Sequence, residues 1–232
     1  MNLNSNLTIP TCGARIILAT RKGVIVKAFD LKEALRSEEL QTALLSLRLY
    51  QGLEALIRKR GEALGLSPSQ VQILLFLSYA HPRYRRTTAI AKRFSIAPAT
   101  ACRILNTLER KGLIRRRRHQ EDRRGVEIEL TAAGRRMVAQ LTGIGEQLIA
   151  YLDELKAEER HILTDALRKI LHSLEESGYL AQVVICRSCP HFRESAYPGT
   201  RKPHLCQLTG ERLTEEESYL ERLDEPVSAG LF

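Results

Sequence analysis

The chain of 232 residues is 44% hydrophobic and 27% charged, a globular rather than disordered composition with room for one ordinary core and a small appendage. Its longest apolar runs, such as VQILLFL, are too short to cross a bilayer, and no basic stretch followed by an apolar one opens it. The net charge is +9, yet residues 83–124 alone hold 14 Lys/Arg against three acids, so a basic block meant for a polyanion sits in an otherwise slightly acidic protein.

Without a secretory signal the expected location is cytoplasmic, where cysteines stay reduced. Five cysteines (12, 102, 186, 189 and 206) are an odd number with three clustered late, a pattern that favours metal ligation over a disulfide framework.

In chain order, residues 15–29 carry two short β-branched runs about TRKG, a hairpin turning at Gly23. A long helix follows from Leu31 to Leu64, with Leu40, Leu44, Leu47 and Ile57 on one stripe and Gly61 and Gly65 marking its end. Ser67 as N-cap and Pro68 at the first position open a second helix. A short third, TTAIAKRFS, is capped by Thr87 or Thr88. The fourth begins at Pro98 and stops at Gly112, burying Ala101, Ile104 or Leu105, and Leu108. Off that stripe lie Thr100, Arg103, Asn106 and Thr107, so the pair has the logic of a helix-turn-helix. Cys102, on the same helix, is read as a small filler.

LIRR and VEIEL then alternate as two strands of a charged hairpin. Thr131 caps a fifth helix running to about residue 152, weakened by Gly134, Gly143 and Gly145. KAEERHILTDALRKILHSLEES is a sixth, ended by Gly178. The expected organisation is an N-terminal extension (1–30), a helical domain with a small β hairpin (31–178) and a Cys/His-rich extension (179–232).

The strings ATACRILNTLERKGLIRR and EDRRGVEIELTAAG give helix, wing and following N-cap in an order that resembles the MarR family of bacterial transcription regulators over roughly residues 35–176. That resemblance implies a mainly α winged helix-turn-helix in a helical dimerisation frame. It also implies a homodimer on a pseudo-palindromic double-stranded DNA operator, acting as a repressor, with a small aromatic or phenolic effector between the dimer layer and the DNA-binding lobe. Ala99 and Thr100 would let the helix approach a phosphate. Arg103 suits a guanine edge and Asn106 an adenine edge, with Thr107 beside them. Arg116 and Arg118 are expected on phosphate. Arg123 or Arg124 would enter the minor groove, positioned by Asp122.

In the extension, Cys186-x2-Cys189 is half of a tetrahedral site, and Cys206 returns 17 positions after Cys189 with His204 two residues before it. Cys186, Cys189, His204 and Cys206 form the expected zinc set, His191 competing for the fourth place and an iron–sulfur cluster being the alternative. The last acidic stretch reads as a short helix with a solvated tail. An enzyme is not expected, since no His-Glu-x-x-His, Gly-rich phosphate loop or Ser nucleophile motif occurs. The other rival is a non-specific architectural DNA binder.

Overall fold

The computed structural model of the chain describes residues 17–19, 25–27, 37–118 and 126–223. None of its helices, among the described residues, is long and apolar enough to cross a membrane. The chain divides after Leu56. Before that point β1 (Ile17–Ala19) pairs antiparallel with β2 (Ile25–Lys27), in the expected hairpin position. The Gly23 turn, Cys12 and the expected start of the long helix at Leu31 lie outside the described residues. Helix α1 (Glu38–Ala63) leaves Leu45, Leu47, Leu49 and Tyr50 exposed.

From Ile57 onward the end of α1 joins a helical core. Helix α2 (Pro68–Tyr79) starts as its sequence dictates: Ser67 Oγ accepts from Gln70 N at 3.4 Å, and Gln70 Oε1 accepts from Ser67 N at 3.2 Å. A 3-10 turn (Pro82–Tyr84) leads to α3 (Thr87–Arg93) and α4 (Pro98–Arg110). Thr87 is the first residue of α3 rather than its cap; Arg86 occupies the cap position without a side-chain bond. Helix α4 buries Ala101, Leu105 and Leu108, with Ile104 packed at the edge of the same core beside Phe76, Ile90, Ile114 and Ile128. Each large buried side chain contributes about 1.5–3 kcal/mol, so this stripe fixes how α4 is rolled on the domain.

Gly112, at φ +68°, ends α4 in the left-handed conformation that glycine adopts without a Cβ penalty. The chain then turns into β3 (Ile114–Arg118), paired antiparallel with β4 (Val126–Leu130). Thr131 accepts from Gly134 N at 3.0 Å and donates to the Gly112 carbonyl at 2.6 Å, capping α5 (Ala132–Leu141) and tying it to the end of α4. The fifth predicted helix is two, α5 and α6 (Gly143–Asp153), interrupted at Thr142 before the two glycines. Helix α7 (Ala157–Glu176) buries none of its residues and exposes Ile162, Leu167, Ile170, Leu171 and Leu174.

The extension has more regular structure than its prolines and glycines suggest. Strand β5 (Val183–Ile185) pairs with β9 (Glu221–Leu223), while β6 (Phe192–Arg193), β7 (His204–Cys206) and β8 (Arg212–Leu213) form a second sheet, followed by α8 (Glu215–Ser218). The acidic stretch, expected as a solvated tail, folds back instead: Leu223 is buried and His81 N donates to Glu221 O at 2.8 Å.

Two glycines separate a packing role from mere helix weakening. A Cβ on Gly134 would lie 1.9 Å from the Leu113 carbonyl oxygen, whereas one on Gly145 meets nothing within 4 Å. Gly134→Ala is expected to cost on the order of 3 kcal/mol or more. Gly145→Ala should stabilise by about 0.5 kcal/mol. Paired thermal denaturation curves check both signs.

Candidate nucleic-acid interface and the thiol module

Rolling α4 by its buried stripe turns its other side outward. Ala99, Cys102, Arg103, Asn106 and Arg110 are exposed and line one open groove with Thr107 and Glu109. Thr100 and Thr107 are half-buried, and the Thr107 hydroxyl is spent on Arg103 O at 3.1 Å. No internal hydrogen bond or ion pair engages the Arg103 guanidinium among the described residues. No side chain caps the helix at Ala97. Cys102 is exposed, its Sγ 4.0 Å from Asn106 Oδ1.

The strand arginines divide by the two-residue period of β3. Arg115 and Arg117 share Glu129, at 2.6 and 3.5 Å, and the hydrogen bond from Arg115 holds that carboxyl below the usual range. Arg116 faces the other way. It ion-pairs with Glu109, donates its backbone N–H to the same carboxylate at 3.2 Å, and donates from its guanidinium to Asn106 Oδ1 at 2.7 Å. Arg116, one of the two residues expected on phosphate, thus holds the wing root to α4. Asn106 in turn has its carbonyl oxygen occupied and only its amide N–H groups free of this contact. Glu109 carries no role in the sequence reading, although an acid on the helix just before the arginine run 115–118 is a signal for an ion pair. Arg118 ends β3 opposite Val126; Asp122, Arg123 and Arg124 lie outside the described residues.

A short helix, a tight turn with Ser95 at φ +50°, a second helix with a polar outer face and a two-stranded wing form a winged helix-turn-helix. The MarR family sequence model matches residues 64–125. YetL, an HTH-type transcriptional repressor of Bacillus subtilis (strain 168), is 30% identical over 137 residues, covering 56% of this chain and 82% of the relative. The chain belongs to the MarR family. YdgJ, an uncharacterized HTH-type transcriptional regulator of the same organism, is 30% identical over 161 residues, covering 68% of this chain and 91% of the relative. The S. aureus MepR–DNA complex is 26% identical with a TM-score of 0.51, covering 57% of this chain and 97% of that one.

Beyond the matched MarR segment, the C-terminal module is gripped by the helix-turn-helix. Strand β9 bridges to Ala80. Glu221 takes two bonds from Arg93 at the end of α3, at 2.5 and 3.3 Å, and Ser95 Oγ donates to Tyr179 O at 3.0 Å in the turn itself. Next to Glu221, Arg222 is 94% buried by its 6% exposure; its Nη2 lies 2.9 Å from Glu211 Oε2 and 2.8 Å from His81 Nε2. The His81 hydrogen bond, helped by Arg222, holds the Glu211 carboxyl down to about 2.

Inside the module Cys186 and Cys206 are buried together with Leu213 against Phe192, while Cys189 is half-buried; all three are free thiols. Burial pushes the Cys186 thiol up, opposed by the nearby Arg222 guanidinium. His204 shares the buried face of β7 with Cys206 as expected, but its ring is committed elsewhere. Nδ1 accepts from Ser195 N at 3.1 Å, which places the proton on Nε2, 2.6 Å from Glu215 Oε2. His204 is therefore an internal strut in this arrangement rather than a free fourth ligand; the His191 side chain is exposed. Among the described residues no group of three or more His, Cys, Asp and Glu already stands in an array that would hold a metal ion.

The unequal arginines give a direct check. Arg116→Ala is expected to lower stability by about 1–2 kcal/mol, since it leaves Glu109 and Asn106 without their shared donor. Arg115→Ala should cost under about 1 kcal/mol, because its pair is exposed and Arg117 remains beside Glu129. Urea denaturation of both variants distinguishes the tethering arginine from the surface one.

Proposed function

We propose that the protein is a homodimeric, sequence-specific DNA-binding repressor that reads its operator with the outer face of α4. The observation that carries this is the outward polar face of a helix whose opposite face is buried, with the Arg103 guanidinium and the Asn106 amide N–H groups without internal partners among the described residues. The groove at Ala99, Arg103 and Asn106 is solvent-open, its helix N-terminus is uncapped, and the surrounding block is strongly basic. An uncapped N-terminus suits a phosphate and the free Arg103 guanidinium suits a guanine edge, worth about 1–3 kcal/mol of discrimination. Membership of the MarR family, a repressor among the relatives and a DNA complex among the structural neighbours support the same reading.

A second copy is supported by the apolar surface that a single chain leaves uncovered. Ile162, Leu167, Ile170, Leu171 and Leu174 make α7 a helix with an unburied apolar face, and α1 carries another. Two-fold pairing places two recognition helices on successive turns of one DNA face, about 34–36 Å apart. Effector control is part of the reading: the cleft lined by Leu77, Arg85, Glu129, Arg135 and Val138 joins apolar walls to two guanidinium groups, which suits a small phenolic or carboxylate ligand.

Nuclease footprinting on DNA from the gene's own upstream region tests the proposal. Two protected half-sites one helical turn apart, weakened roughly 5- to 150-fold by Arg103→Ala, are the expected result. Uniform salt-sensitive coating without a discrete site would instead identify a non-specific architectural binder.

A further inference from the structure

Asn106 follows Arg103 by about one turn on the outer face of α4, and both side chains are exposed. An amide can offer a ligand its oxygen, its nitrogen or both, and its neighbours decide which. The amide atom that faces Arg116 lies 2.7 Å from Nη2. A guanidinium has only N–H donors and no acceptor, so that atom is the amide oxygen. Cys102 Sγ, a turn earlier, lies 4.0 Å from the same oxygen, to which its S–H donates weakly. Arg116 is itself held in place: Glu109 ion-pairs with its guanidinium and accepts from its backbone N–H at 3.2 Å. Asn106 is therefore fixed with its oxygen engaged and its NH2 group left for a ligand.

The other oxygen acceptors among the side chains lining this groove are engaged as well. The Glu109 carboxylate is taken by Arg116, and Thr107 Oγ1 donates to Arg103 O at 3.1 Å while accepting from Arg110 Nη2 at 3.3 Å. What the groove keeps for a partner is N–H donors, chiefly those of the Arg103 guanidinium and the Asn106 amide.

We propose that Asn106 reads guanine rather than the adenine its residue type suggests, and that Arg116 is the positioning residue that fixes this choice. The bidentate pair with adenine needs the amide oxygen to accept from N6 while the amide nitrogen donates to N7. With the oxygen engaged, adenine keeps one bond and sets its N6 amino group against another donor. Guanine carries two acceptors side by side, N7 and O6, so an NH2 group meets no competing donor there. Arg103 suits the same edge, so each half-site carries a guanine for each of these side chains. The wing root thereby takes part in base choice through Arg116 without itself contacting a base. The inference rests on the DNA-binding reading above.

Selection of randomised duplex DNA by the full-length protein, repeated with Asn106→Ala and Arg103→Ala, provides the test. The base pair whose preference disappears in Asn106→Ala marks the Asn106 contact, and Arg103→Ala marks the other. A G·C pair is expected at the Asn106 position, favoured over A·T about 5- to 150-fold in competition binding. In Arg116→Ala the freed oxygen should let A·T bind there as well as G·C, while the preference at the Arg103 position stays. Arg116→Lys, which retains a donor, should keep the G·C preference. An A·T pair at the Asn106 position, or no position that depends on Asn106, would overturn the guanine assignment in the wild-type protein, whether or not the Arg116 variants fold. A G·C preference that persists undiminished in folded Arg116→Ala would reject the positioning role. Selected duplexes with no shared sequence would overturn the proposed function, and this inference with it.

Discussion

The burial of Ala101, Leu105 and Leu108 against the α2–α3 core is the constraint from which the rest of the molecule follows. It sets the roll of α4, and the roll decides which side chains meet solvent. It also determines where α4 ends, since Leu113 and Ile114 must return to the same core and Gly112 must make the turn. From that point β3 has one register choice: Ile114 and Arg116 face the helix while Arg115 and Arg117 face Glu129. The wing is therefore an extension of the α4 packing. Arg116, bonded to both Glu109 and Asn106, connects the wing root to the face proposed to read DNA. On that reading, displacement of the wing and presentation of Asn106 are coupled movements.

Local signals in the chain were enough for most of this framework. Ser67 and Pro68, Pro98, Gly112 and Thr131 each act through bonds or dihedrals within a few residues, and each sits where its chemistry indicated. Periodicity alone selected Ala101 and Leu108 but left Ile104 or Leu105 open; the fold buries Leu105 fully and packs Ile104 at the edge of the core. Helix α6 could not be separated from α5 by pattern, because the apolar period runs through the interruption at Thr142. Thr87 was a plausible cap by type, but Arg86 fills that place without a side-chain bond.

The functional residues were less legible where their partners are distant. Arg116 resembled its neighbours until the strand period turned it toward Glu109. His204 has the spacing of a ligand, and only the folded position of Ser195 and Glu215 shows where its ring is committed. Arg222 carries no local signal at all: its contact with His81 spans 141 positions. The acidic final stretch looked like a solvated tail because its apolar content is low. Backbone pairing with β5 and the bridge to Ala80, neither visible as a pattern, convert it into a clamp on the helix-turn-helix. The C-terminal extension is thereby attached to the machinery at Arg93 and Ser95, close to the turn before α4.

On the proposed function, a fixed polar face of α4, rather than the basic charge alone, determines where the protein binds. Competition titration measures this most directly, comparing the affinity for a footprinted operator with that for shuffled DNA of equal length across a range of salt. Both affinities are expected to fall steeply with salt while the operator retains an advantage of about 10³-fold or more at physiological ionic strength. Equal affinities at every salt concentration would contradict it and leave only an electrostatic coat on DNA.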